Sequence, residues 1–226
     1  MINILIATGN DHKFQEIKAI IADVGADWLN ISYLDGKRFP AKVEENGDTY
    51  NKNAKLKVDG YLKYLKENPS LRGKPLPDYI VAEDSGLEVE CLNNEPGLRT
   101  ARYAGEYATD AENITKLLDE MQKNKGCGEG GSHSGSGGVG RQARFVCYAC
   151  LYDIKTGGYS YFEGELKGSI SNKISGTKGF GYDPVFFVPE FNKTVAQVDS
   201  SEKNKISHRA IAFKQVAEAI KEIERL

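Results

Sequence analysis

Two hydrophobic periods alternate along this chain, and the changes between them mark its elements. Residues 1–7 form a continuous apolar run of strand length, stopped by Thr8-Gly9-Asn10. Over 11–24 the apolar residues Phe14, Ile17, Ile21 and Val24 recur at three- and four-residue spacing, which predicts an amphipathic helix. A second strand is predicted over 28–34, ended by the turn pair Asp35-Gly36. A second helix is predicted over 50–66, with Ala54, Val58, Tyr61 and Leu65 facing inward. Asn68-Pro69 ends it, and Pro75 and Pro77 mark a loop. Segments 79–82 and 87–92 read as two strands around a tight Asp84-Ser85-Gly86 turn. A helix follows over 111–123, then a hairpin of 144–153 and 159–165 joined by Lys155-Thr156-Gly157-Gly158. The glycine-bearing loop 176–183 leads into a strand over 185–188. A last helix starts at Ser207, with Ala210, Phe213, Ala217 and Ile220 as its stripe. No repeat of solenoid length occurs. The succession predicts an α/β (α+β) domain around a mixed sheet.

Charge narrows the partners. The 226 residues carry 30 Lys+Arg against 32 Asp+Glu, so nothing global draws the chain to nucleic acid. No apolar run approaches the ~18 residues of a membrane span, and the first ten residues lack the marks of a secretory signal. Neither nucleic acid nor membrane is expected as a partner. Of 24 glycines, eight fall in 124–140, and this tract predicts a flexible surface insert.

The four cysteines bear on metal chemistry and compartment. Cys147 and Cys150 form C-x-x-C, but they lie in a strand-like run, ARFVCYACLYD. Side chains three apart in a strand point to opposite faces, so these thiols cannot share a metal. Cys91 is expected in a strand and Cys127 as an unpaired thiol in the insert. An exposed free thiol fits a reducing interior, which points to the cytoplasm.

Five segments carry candidate chemistry. Thr8-Gly9-Asn10 with Lys13 is a strand-to-helix turn whose free N–H groups and lysine suit an anion; Thr8 and Asn10 would equally serve as helix caps. In E45-x-G47-x-T49-Y50-x-x-N53-A54-x-x-K57, Asn53 and Lys57 are one helical turn apart on a shared face. Lys57 borders the apolar stripe, and either snorkels to water or reaches into a cleft. Glu83 and Asp84 are expected where a strand meets a turn, able to hold Mg²⁺ with phosphate oxygens, although Asp84 could instead shape an Asx turn. Glu88 and Glu90 are expected on a solvated face. In G176-T177-K178-G179-F180-G181-Y182-D183, glycines flank aromatic rings suited to stacking on a base. In K203-x-x-x-S207-H208-R209, Ser207 caps a helix, while Arg209 sits where the macrodipole disfavours a cation, a local conflict expected at functional sites.

Together these segments resemble the inosine triphosphate pyrophosphatase family. The matching stretches are TGNDHK, EENGDTYNKNAKLK, AEDSGLEVE with PGLRTARYAG, KGFGYDPVFF and EKNKISHR. They keep the family's order across nearly the whole chain. The resemblance implies one domain over 1–226 with an elongated mixed sheet flanked by helices, two lobes with the active-site cleft between them, and a homodimer. It implies that Thr8, Gly9, Asn10, Lys13 and Lys57 bind the triphosphate, and that Asp84 accepts a proton. Glu45 and Asp84 match the family's carboxylates for Mg²⁺ (Mn²⁺ being the alternative), with Glu83 beside them. Ser85 matches a substrate contact. Phe180, Gly181, Tyr182, Asp183, Lys203, Ser207, His208 and Arg209 match the nucleobase contacts.

The implied reaction cleaves ITP, dITP or XTP to a nucleoside monophosphate and pyrophosphate. Hypoxanthine and xanthine carry an oxygen at C6 where adenine carries an amino donor. A buried donor such as Arg209 or His208 would pair with that oxygen and be left unsatisfied by adenine. Two other readings remain: a pyrophosphatase for standard or pyrimidine triphosphates, and a purine nucleotide sensor without catalysis. Glu45, Glu83 and Asp84 speak against the sensor.

Overall fold

The structure, a computed structural model, describes residues 1–34, 43–69, 77–128 and 140–225. The Asp35-Gly36 turn, Pro75 and positions 129–139 of the glycine-rich insert lie outside the described residues. The elements run β1 (Ile2–Ile6), α1 (Asp11–Asp23), β2 (Leu29–Tyr33), α2 (Tyr50–Glu67), β3 (Tyr79–Val89), β4 (Glu95–Gly97), α3 (Asp110–Lys123), β5 (Gln142–Asp153), β6 (Tyr159–Ile170), β7 (Phe186–Val188), β8 (Lys193–Thr194), α4 (Ser200–Ile206) and α5 (His208–Ile223). The strands pair in the order β2-β1-β3-β5-β6-β7-β8, with β4 also on β3. β1 pairs in parallel with β2 and β3, while β4 is antiparallel to β3. This is the mixed α/β sheet expected.

One expectation fails in an informative way. Asp84-Ser85-Gly86 is no turn; β3 is one continuous strand of 11 residues. Its polar side chains find partners on the elements packed against either face, so the chain need not bend to bring them to water. Glu88, expected to be solvated, is held by Arg144 at 2.8 Å, which also reaches Glu165 at 3.1 Å.

The chain divides into two compact units, each built from non-contiguous stretches. The first comprises Met1–Asp84, Cys147–Gly164 and His208–Leu226. Here strand alternation sorts the core into two layers. Ile4, Ile6, Tyr79, Val81, Cys147, Ala149 and Leu151 pack against α1 and α5, through residues such as Phe14, Ile17, Ile20, Phe213 and Val216. Leu5, Ala7, Ile80, Ala82 and Cys150 face the other way, onto Ala54, Val58, Tyr61 and Leu65 of α2. Cys147 and Cys150 thus lie on opposite faces and outside any disulfide, as the strand reading required. Gly164 lets α5 approach β6 closely: a Cβ there would meet the His208 carbonyl oxygen at 2.1 Å and the Ala212 nitrogen at 2.8 Å.

The second unit comprises Ser85–Val146 and Glu165–Ser207. Its core joins Ile114, Leu117 and Met121 of α3 to Leu87, Val89, Phe145, Val185 and Phe186. Thr109 opens α3 with a capping box closed by Glu112. Cys91 lies in the 3₁₀ turn Glu90–Leu92 rather than in a strand, and Cys127 is buried. The two form a disulfide across 36 residues, so Cys127 is not the exposed free thiol expected, and the argument from it to a reducing compartment loses its premise. No helix among the described residues is long and apolar enough to cross a membrane.

Candidate active site

The expected site residues fall into two sets, one in each unit. In the first unit, β1 ends at Ile6 and Asn10 caps α1: its Oδ1 accepts the Lys13 backbone N–H at 3.1 Å, while its own N–H donates to Thr8 Oγ1 at 3.1 Å. Nothing lies within 4 Å of where a Cβ on Gly9 would be, so the backbone at this helix start is open to approach. Lys13, one turn in, places Nζ 2.7 Å from Glu83 Oε1.

Glu83 and Asp84 are adjacent in β3 and therefore point to opposite faces. Glu83 takes the α1/α5 face, where Arg209 Nη2 stands 3.4 Å from it and Arg209 Nη1 reaches Glu16 at 2.9 Å. Burial works to raise the Glu83 carboxyl, but Lys13, Arg209 and Lys57 outweigh it and hold the group well below the usual carboxylate range. Glu83, expected beside Asp84 in the metal set, thus lies on the other face of β3, paired with Lys13 and Arg209. The same network explains why a cation tolerates the start of α5. Two guanidinium nitrogens of Arg209 are satisfied by carboxylates, which offset the macrodipole.

Asp84 takes the α2 face. Its Oδ1 is 3.0 Å from Lys57 Nζ, its Oδ2 accepts from Asn53 Nδ2 at 3.1 Å, and Lys57 also donates to the Glu83 carbonyl oxygen at 3.0 Å. Glu45 Oε2 completes the group, 3.0 Å from the same Nζ. Burial alone would lower the Lys57 ammonium, but Asp84, Glu45 and Glu83 outweigh it and raise it above the ordinary lysine range. Lys57 reaches into this cluster rather than snorkelling to bulk water.

Two carboxylates converging on one cationic position are a fitting donor set for a hard divalent ion, which takes one or two carboxylates and completes its shell with phosphate and water. Among the described residues no three His, Cys, Asp or Glu side chains form a ready cage.

The second unit carries the aromatic loop. Gly181 adopts φ +61° and donates its N–H to Asp110 Oδ2 at 2.6 Å. Asp183 Oδ2 accepts from the Phe180 N–H at 3.2 Å and from Lys203 Nζ at 2.8 Å, and that ammonium lies 5.2 Å from the Phe180 ring centre. Tyr182 is buried and donates to the Thr100 carbonyl at 3.0 Å, so Phe180 alone of the two rings is left half-exposed. Lys203 belongs to α4, and Ser207, fully buried, links α4 to α5. Ser85 follows Asp84 within β3. His208, in the first unit, is buried at the first position of α5.

The Ham1 family profile matches residues 4–219. The chain belongs to the Ham1 family. It is similar to the dITP/XTP pyrophosphatase of Clostridium perfringens, at 41% identity with 97% of each chain covered. It is likewise similar to that of Listeria innocua, at 37% identity, covering 99% of this chain and 97% of the relative. Among solved structures, the Staphylococcus aureus Ham1 protein matches with a TM-score of 0.71 and 34% identity, covering 97% of this chain and 98% of that one. A HAM1 protein from Coxiella burnetii gives 0.73 and 32%, covering 98% and 100%. In this Ham1 chain the sequence reading missed Glu16, although its place three residues after Lys13 on one face of α1 was a usable signal. It also missed what the Asn53 amide joins.

Proposed function

We propose that this Ham1 chain hydrolyses non-standard purine triphosphates (dITP, XTP and ITP) to the nucleoside monophosphate and pyrophosphate, cleansing the nucleotide pool. The observation that carries the reading is Asp84, held by Lys57 and Asn53 with Glu45 beside it. The relatives named dITP/XTP pyrophosphatase support the substrate class. Such a hydrolysis needs phosphate charge neutralised and a water held in line. Lys13 and Lys57 meet the triphosphate together with the open backbone of Thr8, Gly9 and Asn10. Asp84 orients the attacking water and takes its proton. Glu45 and Asp84 would hold Mg²⁺, with Mn²⁺ as the alternative; when bound, it supplies further neutralisation of charge on the phosphate oxygens.

Base recognition is assigned to Phe180, Gly181, Tyr182, Asp183, Lys203, Ser207, His208 and Arg209, with Ser85 as a further substrate contact. Phe180 offers the stacking face, and Tyr182 and Asp183 shape the loop that presents it. A homodimer is carried from the family resemblance, and the cytoplasm from the nucleotide pool it would serve. A panel of ITP, XTP, dITP, ATP, GTP and dUTP with Mg²⁺, scored for pyrophosphate release, tests the reading. The first three should turn over with kcat/KM at least about 10²-fold above the rest. Equal rates on ATP or dUTP would return the chain to the class of general triphosphate pyrophosphatases.

A further inference from the structure

We propose that Asn53 is a positioning residue that fixes Asp84 and the segment carrying Glu45 in one arrangement, an inference that rests on Asp84 being the proton acceptor. Asn53 is 3% exposed, and both ends of its amide are used. Nδ2 donates to Asp84 Oδ2 at 3.1 Å, and Oδ1 accepts the Gly47 N–H at 2.9 Å. Gly47 lies two residues from Glu45. One side chain therefore joins the strand bearing the base to the segment bearing the second carboxylate.

The chemistry of the amide decides its orientation. Flipping it would set Oδ1 against a carboxylate oxygen and the NH₂ against an N–H donor, so only one orientation satisfies both neighbours. A carboxylate of the same shape can accept from Gly47 but cannot donate to Asp84. A hydroxyl is too short to serve both. Gly47 is fitted to the contact: a Cβ there would lie 2.8 Å from Asn53 Oδ1 and 2.8 Å from Lys52 Cβ. With Oδ1 on Lys57 and Oδ2 on Asn53, the plane of the Asp84 carboxylate is fixed by one partner at each oxygen. Its remaining lone pairs are then aimed rather than rotating. The start of α2 that carries Asn53 is itself anchored, with Thr49 accepting from the Lys52 N–H and Tyr50 stacked on Tyr148 at 5.3 Å.

The test compares Asn53→Ala, Asn53→Asp and Asp84→Asn by steady-state kinetics on dITP, with hydrogen exchange read at the Gly47 amide. Misplacing a reacting group by about 1 Å costs roughly 10²-fold in rate. Both Asn53 variants should therefore lose about 10²-fold in kcat while KM stays within about threefold. Gly47 exchange should accelerate in Asn53→Ala and stay protected in Asn53→Asp, which a purely structural role would not separate. Full kcat in either Asn53 variant beside an inactive Asp84→Asn overturns the inference. Should Asn53→Ala fail to fold, Asn53→Asp decides alone. An active Asp84→Asn instead removes the base assignment, and the Asn53 inference falls with it.

Discussion

Asp84→Asn should lower kcat on dITP by about 10³-fold, within the range that a positioned general base contributes, while the nucleotide still binds. The substitution keeps shape and removes the basic oxygen. The fold should survive it, because Lys57 keeps Glu45 at 3.0 Å and the Glu83 carbonyl at 3.0 Å. Lys13 and the open turn at Gly9 are untouched, so affinity for a non-hydrolysable triphosphate, read by calorimetry with the metal present, should change by less than about tenfold. That split between chemistry and binding identifies a group acting in the transition state. A variant turning over at the parental rate would remove Asp84 as the base.

Arg209→Ala should act on stability as strongly as on turnover. The guanidinium is 2% exposed and lies against Glu83, also 2% exposed, and Glu16, 9% exposed. Removing one member of a buried ionic network takes a compensating cation from both carboxylates, at a cost of about 3–5 kcal/mol. For a chain of this size that corresponds to a fall in Tm of roughly 10 °C. Lys13 would keep Glu83 as its partner, but Glu83 would lose one of the cations that outweigh its burial. Turnover of ITP should fall with the melting temperature. Were Arg209 only a donor to the C6 oxygen, activity would drop with Tm unchanged, and that result would contradict the buried network.

Much of this architecture was legible in the sequence because its periods are strong. α2 buries the stripe its spacing announces; α1 buries Phe14, Ile17 and Ile21 but leaves Val24 exposed beyond its end, and β1, β5 and β6 fall where strands were expected. What escaped notice depends on partners distant along the chain. Asp-Ser-Gly reads as a turn locally, yet β3 is unbroken, with α1, α2 and α5 supplying partners for Glu83 and Asp84. α4, SSEKNKI, is seven residues with no apolar stripe, so nothing periodic announces it. Arg209 and Glu16 are 193 residues apart, and Cys91 and Cys127 are 36 apart. No window of local sequence could join either pair. The motif stretches were the most legible part of the site, since close spacing within TGNDHK and the 45–57 segment survives folding. The opposite orientations of Glu83 and Asp84 follow from strand alternation, and became readable only once β3 was seen to be unbroken.

The most direct test of the account is hydrolysis of dITP or XTP in ¹⁸O-water, with the products resolved by mass spectrometry. The family resemblance implies attack at the α-phosphorus, so water directed there by Asp84 should leave one ¹⁸O in the nucleoside monophosphate and none in the pyrophosphate. Label in the pyrophosphate, or release of orthophosphate with a nucleoside diphosphate, would contradict it.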